Sequence, residues 1–264
     1  MWFDGQAEQF DDSAGLERGV GRSIALAILE LSGFTADDAL LDVGAGTGAI
    51  GVHFAALSSR YVGLDRSRPM LEIFQRKLTP WPDNMLLVQA DSNRRWPICD
   101  QALAVVFASR VAHHLQPQHF VREAFRVGRS GGHLLLGQVT RDADSLPSRL
   151  QRHKRSLLAE YGVRTRAGWQ AIQEITDSCC GGSTRTLPPT IVTHWSRTTT
   201  LRRLLASWER KPKLNSSSGG NALDASQRAA VVNTLTTWAQ HEFGDLDCPH
   251  EFSESYALQA VRLP

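Results

Sequence analysis

The densest chemistry in the chain lies in Leu41-Asp42-Val43-Gly44-Ala45-Gly46-Thr47-Gly48-Ala49-Ile50-Gly51, where an apolar run passes into alternating glycines. A strand that turns through such a loop into a helix exposes backbone N–H groups, and these suit a phosphate, a carboxylate or a ribose. Glycine is required where a Cβ would collide with a ligand pressed on the backbone, or where the turn visits positive φ. Further along, Asp65 closes Tyr61-Val-Gly-Leu-Asp65, Asp91 and Ser92 close a third apolar run, and Ser109-Arg110 with His113-His114 follow a fourth. Carboxylates accept two hydrogen bonds in a fork, and imidazole is the side chain that trades a proton near neutral pH.

These residues need a scaffold that brings the ends of successive runs together. Strand-type segments at Leu40–Gly44, Tyr61–Asp65, Met85–Asp91, Ala102–Ala108 and His133–Val139 alternate with helical patterns, which predicts a parallel sheet buried on both faces. A helix is expected at Val20–Leu31, closed by Gly33, and another from about Ala49. Ser67 and Pro69 open one that runs to Leu78, and Gln118–Arg129 stops at Ser130-Gly-Gly132. Behind the sheet, Ile191–Arg197 reads as a strand, and Leu201, Leu204, Leu205 and Trp208 share one helical face. Asp224 with Gln227 forms a capping box before Val231, Leu235 and Trp238, and Phe252–Arg262 alternates as a closing strand. Loops are expected at Ser178–Pro189 and Lys211–Asn221.

Spacing alone leaves two parses of the glycine loop. Gly46-x-Gly48-x-x-Gly51 with Asp65 about 20 residues on fits a dinucleotide fingerprint, hence an NAD-dependent oxidoreductase. Asp42-x-Gly44-x-Gly46-x-Gly48 instead places an acid inside the first strand and a glycine at its end, and it resembles motif I of the class I S-adenosylmethionine-dependent methyltransferases. The resemblance continues in order. Asp65 falls where that family binds both ribose hydroxyls, and Gln89-Ala-Asp91-Ser92 falls where it places a carboxylate near the adenine amino group. Ala104-Val-Val-Phe-Ala-Ser-Arg-Val-Ala-His-His-Leu115 is similar to its fourth motif, and Arg122–Leu136 to the helix, Gly-Gly turn and fifth strand that follow.

The resemblance implies a Rossmann-like α/β fold with a seven-stranded sheet, parallel with a C-terminal antiparallel hairpin, and a helical insertion. Within one domain it implies an N-terminal helical lid at 1–36, a cofactor core at 37–140, the insertion at 141–190 and the hairpin with its helices at 191–264. Trp2, Phe3 and Phe10 fall in the lid. The implied cofactor is S-adenosyl-L-methionine, held by Asp42, Gly44, Ala45, Gly46, Thr47, Gly48, Asp65, Arg66, Asp91, Ser92 and Ser109, with His113 as the candidate base. The implied acceptor is a small molecule, most like those of the ubiquinone and menaquinone enzymes. The fourth motif lacks Asn/Asp-Pro-Pro-Tyr, which argues against nucleic-acid bases and glutamine as acceptors. A protein that binds the cofactor without catalysis is the further alternative.

Composition bounds these readings. With 264 residues, 42% apolar and 21% charged, the chain can bury a core and is not a disordered polymer. The 29 Lys and Arg against 27 Asp and Glu leave +2, too near balance to imply nucleic acid or a membrane surface as partner. Between Arg126 and Arg166, nine basic residues face three acids, and their amphipathic placement reads as a solvated face. No apolar run approaches the roughly 18 residues of a membrane span, and the N-terminus lacks the pattern of a secretory signal, so a cytoplasmic location is expected. Cys99, Cys179, Cys180 and Cys248 form neither a disulfide framework nor a Cys-x-x-Cys pair, so no metal is expected. Trp195, Trp208 and Trp238 are expected to fill core rather than wall a pocket.

Overall fold

A computed structural model describes residues 8, 11, 16–57, 60–179, 184–209 and 223–264. The lid residues Trp2, Phe3 and Phe10, Cys180 and the 211–221 loop lie outside them. Helix α1 (Val20–Ser32) ends on Gly33 in the left-handed conformation, as glycine permits. After it come β1 (Ala39–Val43), a 3₁₀ segment (Gly51–Leu57), β2 (Arg60–Asp65), α2 (Arg68–Lys77) and β3 (Met85–Gln89). There follow β4 (Leu103–Ser109), a 3₁₀ turn (Ala112–His114), α3 (Pro117–Val127), β5 (Gly128–Arg141), α4 (Leu146–Glu160) and α5 (Gly168–Ser178). The chain closes with β6 (Arg185–Thr186), β7 (Thr190–Thr199), α6 (Leu201–Glu209), α7 (Ala225–Phe243) and β8 (His250–Arg262).

The sheet has eight strands in the order β3-β2-β1-β4-β5-β8-β6, with β7 also paired to β8. β1 to β5 are parallel and β6 runs antiparallel to β8. This is the class I methyltransferase fold, with one strand more than the seven expected. The expected strand from Ile191 begins at Thr190 and is preceded by the two-residue β6, because Pro188-Pro189 have no N–H to donate to the ladder. Pairing to β8 continues across the break, where Leu187 N–H donates to the Ala260 carbonyl at 3.0 Å. Every residue of β4 except Ser109 is buried, as both faces of a parallel sheet require.

Two further expectations are corrected. The segment after the glycine loop starts at Gly51 rather than Ala49 and is 3₁₀, seven residues long. Gly51 sits where a Cβ would meet the Tyr61 hydroxyl at 2.4 Å and the Phe74 ring at 2.5 Å, so close packing sets the local winding. Helix α3 ends at Val127, and Gly128 to Gly132 already belong to β5. There a Cβ on Gly128 would lie 2.1 Å from Leu263, and one on Gly132 2.8 Å from the Ala104 carbonyl. The Gly-Gly pair thus lets β5 approach β4 where their register shifts between Leu103 and Val105.

By packing, the chain divides into two compact units. The first comprises 1–139, 168–193 and 256–264, the second 140–167 and 194–255. The first is centred on Leu41, Val43, Val106, Phe120, Leu134 and Leu136, and α5 contributes Ala171, Ile172 and Ile175 to it. In the second, Leu150, Leu158, Val163, Leu201, Val231 and Leu235 form a separate core against which the half-buried Trp208 and Trp238 pack, whereas Trp195, expected to fill core, is not part of it and its indole donates to Glu254 at 2.9 Å. Its helix α7 carries the full capping box: Asp224 accepts from Gln227 N–H at 2.8 Å, and Gln227 accepts from Asp224 N–H at 3.0 Å. The basic stretch is largely paired. Arg126 meets Glu123 and Asp100, Arg129 meets Asp38, Arg141 meets Glu254, Arg149 meets Glu242, and the Lys154 ammonium lies 4.2 Å over the Trp208 ring.

Candidate functional site

Strand order reverses between β1 and β4: β2 and β3 lie to one side, β5 to the other. That reversal opens a crevice at the carboxyl ends of the strands, where open α/β sheets take their ligands. The glycine loop fills it. Gly44, Gly46 and Gly48 have φ of 79°, 56° and 77°, all in the region that L side chains avoid. Their surroundings differ. A Cβ on Gly44 would meet Val111 at 2.8 Å and one on Gly48 the Phe74 ring at 2.4 Å, whereas among the described residues one on Gly46 would find only the Gly44 carbonyl, at 3.9 Å. Gly44 and Gly48 are packed on the side where a Cβ would lie, whereas among the described residues Gly46 is open there, so a ligand can press on its backbone.

Asp65, at the end of β2, holds this loop. Its Oδ2 accepts from Gly46 N–H at 2.9 Å and its Oδ1 from Ser67 N–H at 2.8 Å. Burial raises its carboxyl above the ordinary range, opposed by the backbone bonds from Ser67, Gly46 and Arg66 and then by the Arg66 charge. A carboxylate has about four acceptor sites, so beyond these three backbone bonds Asp65 keeps capacity for a hydroxyl of a ligand. Gly44 and Ala45 N–H groups both donate to the Leu64 carbonyl, at 2.7 and 3.1 Å. On the other flank, Thr47 Oγ1 donates to Asp11 at 2.6 Å, and the Lys77 ammonium binds Asp11 at 2.5 Å and the Thr47 carbonyl at 2.8 Å. Asp11 therefore ties onto the loop.

Asp42 is buried within β1, and its Oδ2 accepts from the Tyr61 hydroxyl at 2.7 Å. Among the described residues its Oδ1 is buried without a hydrogen-bond partner. Burial pushes the Asp42 carboxyl up to about 7; the Tyr61 bond opposes the rise, Asp65 adds to it and Arg110 opposes it. Arg110 has φ of 56°, a strained value for a residue with a side chain, and its N–H donates to the Gly137 carbonyl at 2.8 Å. Strain of this kind is held only where surrounding structure overrides it, and here it lies in the crevice.

After β3, Asp91 Oδ1 accepts from Asn93 N–H at 2.9 Å, and Ser92 carbonyl accepts from the Trp96 indole at 3.0 Å. Asn93 then links two loops: its amide donates to the His114 carbonyl at 3.0 Å and accepts from Gln116 N–H at 2.8 Å. His113 and His114 sit on the 3₁₀ turn with ring centroids 3.9 Å apart. Burial, then His113 and Arg66, push His114 down to about 3, so it is neutral and weakly basic throughout the physiological range. Ser109 Oγ and the Tyr256 hydroxyl share a 2.5 Å hydrogen bond, and a Cβ on Gly137 would strike that same hydroxyl.

The residues singled out from sequence therefore occupy one corner of the first unit, with Arg66 exposed at its rim. Sequence reasoning missed Tyr61, Asn93 and Tyr256. For the two tyrosines a signal existed, since a phenol inside a buried strand must find a partner for its hydroxyl; Asn93 carried none. The corner suits the cofactor that the glycine pattern implies. It offers a glycine in open space, a carboxylate fork and a second carboxylate with an uncommitted buried oxygen.

Comparison with known proteins agrees with this architecture. The family described as "Methyltransferase domain" matches residues 41–136. A curated relative, the ubiquinone/menaquinone biosynthesis C-methyltransferase UbiE of Syntrophotalea carbinolica, is 29% identical over 150 residues, covering 56% of this chain. The chain matches 63% of that relative's length. Among solved structures, a putative methyltransferase (BH2331) from Bacillus halodurans aligns with TM-score 0.58 at 17% identity, over 92% of this chain and 99% of that one. A geranyl diphosphate methyltransferase in complex with S-adenosylmethionine aligns with TM-score 0.52 at 14% identity, covering 92% and 85%. The [4+2]-cyclase SpnF aligns with TM-score 0.56 at 16% identity, covering 99% and 94%. The last shows that the fold is not confined to proteins named for methyl transfer.

Proposed function

We propose that this chain, a class I S-adenosylmethionine-dependent methyltransferase by its fold and by the match of residues 41–136, transfers a methyl group to a small-molecule acceptor. The observation that carries the reading is the pairing of Asp65 with Gly46: a carboxylate hydrogen-bonded to the one loop glycine that faces open space, at the switch point between β1 and β4. Asp42 and Asp91 support it, because the dinucleotide parse has no use for either. When bound, S-adenosylmethionine supplies a methyl already activated by its sulfonium, and no protein nucleophile is needed.

The chain's own residues then have three tasks. Gly44, Ala45, Gly46, Thr47 and Gly48 present backbone to the cofactor, while Asp65, Arg66, Asp91, Ser92 and Ser109 bind its nucleoside and orient it. The enclosing loops hold the acceptor in line with the methyl, a proximity effect worth about 7–11 kcal/mol. Where the acceptor loses a proton, His113 takes it. His114 is a poor base, since a group titrating at about 3 has little driving force to accept a proton at neutral pH. The near-neutral charge supports a metabolite rather than a nucleic acid as acceptor. Among the described residues no helix is long and apolar enough to cross a membrane, and a cytoplasmic location is part of the proposal.

Calorimetry with S-adenosylhomocysteine and with NAD tests the reading: the first should bind and the second should not, and the reverse would establish the oxidoreductase. Because the fold also accommodates a [4+2]-cyclase, a screen of metabolite pools with methyl-labelled S-adenosylmethionine separates an enzyme, which forms S-adenosylhomocysteine, from a protein that only binds the cofactor.

A further inference from the structure

One side chain joins the loop after β3 to the turn after β4. The half-buried Asn93 donates from Nδ2 to the His114 carbonyl at 3.0 Å and accepts at Oδ1 from Gln116 N–H at 2.8 Å, so it brackets the residues that follow His113. Its own N–H donates to Asp91 Oδ1 at 2.9 Å, which makes the same residue a continuation of the Asp91-Ser92 strand end. A carbonyl only accepts and a backbone N–H only donates, so the two partners fix the orientation of the amide. Aspartate has the same shape but lacks the donor at neutral pH.

The two elements are each held by other means. Trp96 N–H donates to the buried Glu123 at 2.7 Å, the Trp96 ring meets Phe120 edge-on at 5.6 Å, and His119 Nε2 donates to the Arg94 carbonyl at 2.8 Å, which fastens the 92–96 loop to α3. The turn is fastened at its start, where Val111 packs on Gly44. At its end Gln116 is the N-cap of α3 and makes no side-chain cap bond, and its N–H goes to Asn93 instead. Losing Asn93 would therefore leave loop and turn in place and release the register between them. We propose that Asn93 is a positioning residue that couples the Asp91-Ser92 strand end to the turn carrying His113, so that a nucleoside bound at the first steadies the candidate base on the second. This rests on the proposed cofactor, whose nucleoside lies at Asp91 and Ser92.

The experiment follows amide exchange of His114, Leu115 and Gln116 by NMR in the full chain, with and without 5′-methylthioadenosine, which carries the nucleoside but not the amino-acid end; S-adenosylhomocysteine replaces it if it does not bind. These N–H groups bond to Val111, Ala112 and Asn93, so their exchange reports opening of the turn. In the wild type, saturating probe should slow it about tenfold or more. Asn93→Ala and Asn93→Asp should still bind the probe and lose the slowing. With methyl-labelled S-adenosylmethionine and metabolite pools, Asn93→Ala should lower turnover about tenfold or more. Combined with His113→Ala it should be no slower than His113→Ala alone, since a residue acting through His113 then has nothing to position; a merely structural asparagine would add its loss. No slowing in the wild type, equal slowing in the variants, or additive losses overturns the inference while the cofactor assignment stands. Failure of both probes to bind the wild type overturns the cofactor assignment, and the inference with it. Should Asn93→Ala not fold, Asn93→Asp, which keeps the shape and the acceptor for Gln116, decides the matter; if neither folds, the asparagine is structural and the inference fails.

Discussion

The glycine-loop corner and the second unit obtain their order by different means. In the corner, backbone does the work: three positive-φ glycines, N–H groups tied to Leu64 and Asp65, and strand ends arranged by the sheet. In the second unit, side chains do it, through the leucines and valines of α4, α6 and α7 and the tryptophans packed on them. A backbone-built site tolerates almost no change of residue type, because a single Cβ either clashes or strains φ. A side-chain core accepts many sequences of similar volume. The corner therefore leaves a readable mark in the sequence, whereas the second unit leaves only periodicity.

Substitutions can break that contrast. The largest effect is expected within the loop itself. Gly48→Val would drive methyls into Phe74 and force a β-branched residue to positive φ, costing about 2–5 kcal/mol of stability, measurable by thermal melting. Gly46→Val carries only the backbone strain, about 1–2 kcal/mol, so it should stay folded and yet lose S-adenosylhomocysteine binding. Retained binding would mean that nothing presses on that backbone.

Next in size, His113→Ala should lower turnover by about 10²–10⁴ with cofactor affinity unchanged. Near-normal turnover would mean that the acceptor arrives already nucleophilic, as an amine or a thiolate. Asp65→Ala should weaken cofactor affinity at least tenfold, in line with about 1.5–3 kcal/mol for a hydrogen bond to a charged group. Unchanged affinity in a titration would place the ribose elsewhere. The smallest effect belongs to the second unit: Asp224→Ala removes the capping box of α7 and should cost about 1 kcal/mol in denaturant unfolding, leaving cofactor affinity untouched. A change in cofactor affinity there would show that the contrast between the two regions is too sharp.

Periodicity and punctuation were enough to read β1 through β4 to within a residue or two, and to locate α1, α2, α6 and α7, because each has an apolar pattern bounded by glycine, proline or a cap. They failed where local and distant demands conflict. The Gly-Gly pair after α3 reads as a helix stop, but the helix ends earlier, at Val127, because Gly128 must pack against Leu263 from the far end of the chain. Pro188-Pro189 reads as loop, yet a two-residue strand precedes it, since the carbonyls of β8 are there to be paired.

The sequence by itself determined the glycine loop, the acids at the ends of β1, β2 and β3, and the order in which they meet a ligand crevice, since these follow from backbone sterics and the strand-helix period. Only the tertiary structure decided what each residue faces. It separated Gly46, in open space, from Gly44 and Gly48, packed on Val111 and Phe74; it joined Tyr61 to Asp42 and Tyr256 to Ser109. The physical reason is that φ preferences and hydrophobic period act over a few residues, whereas a side chain's partner and its desolvation depend on strands brought together from distant parts of the chain.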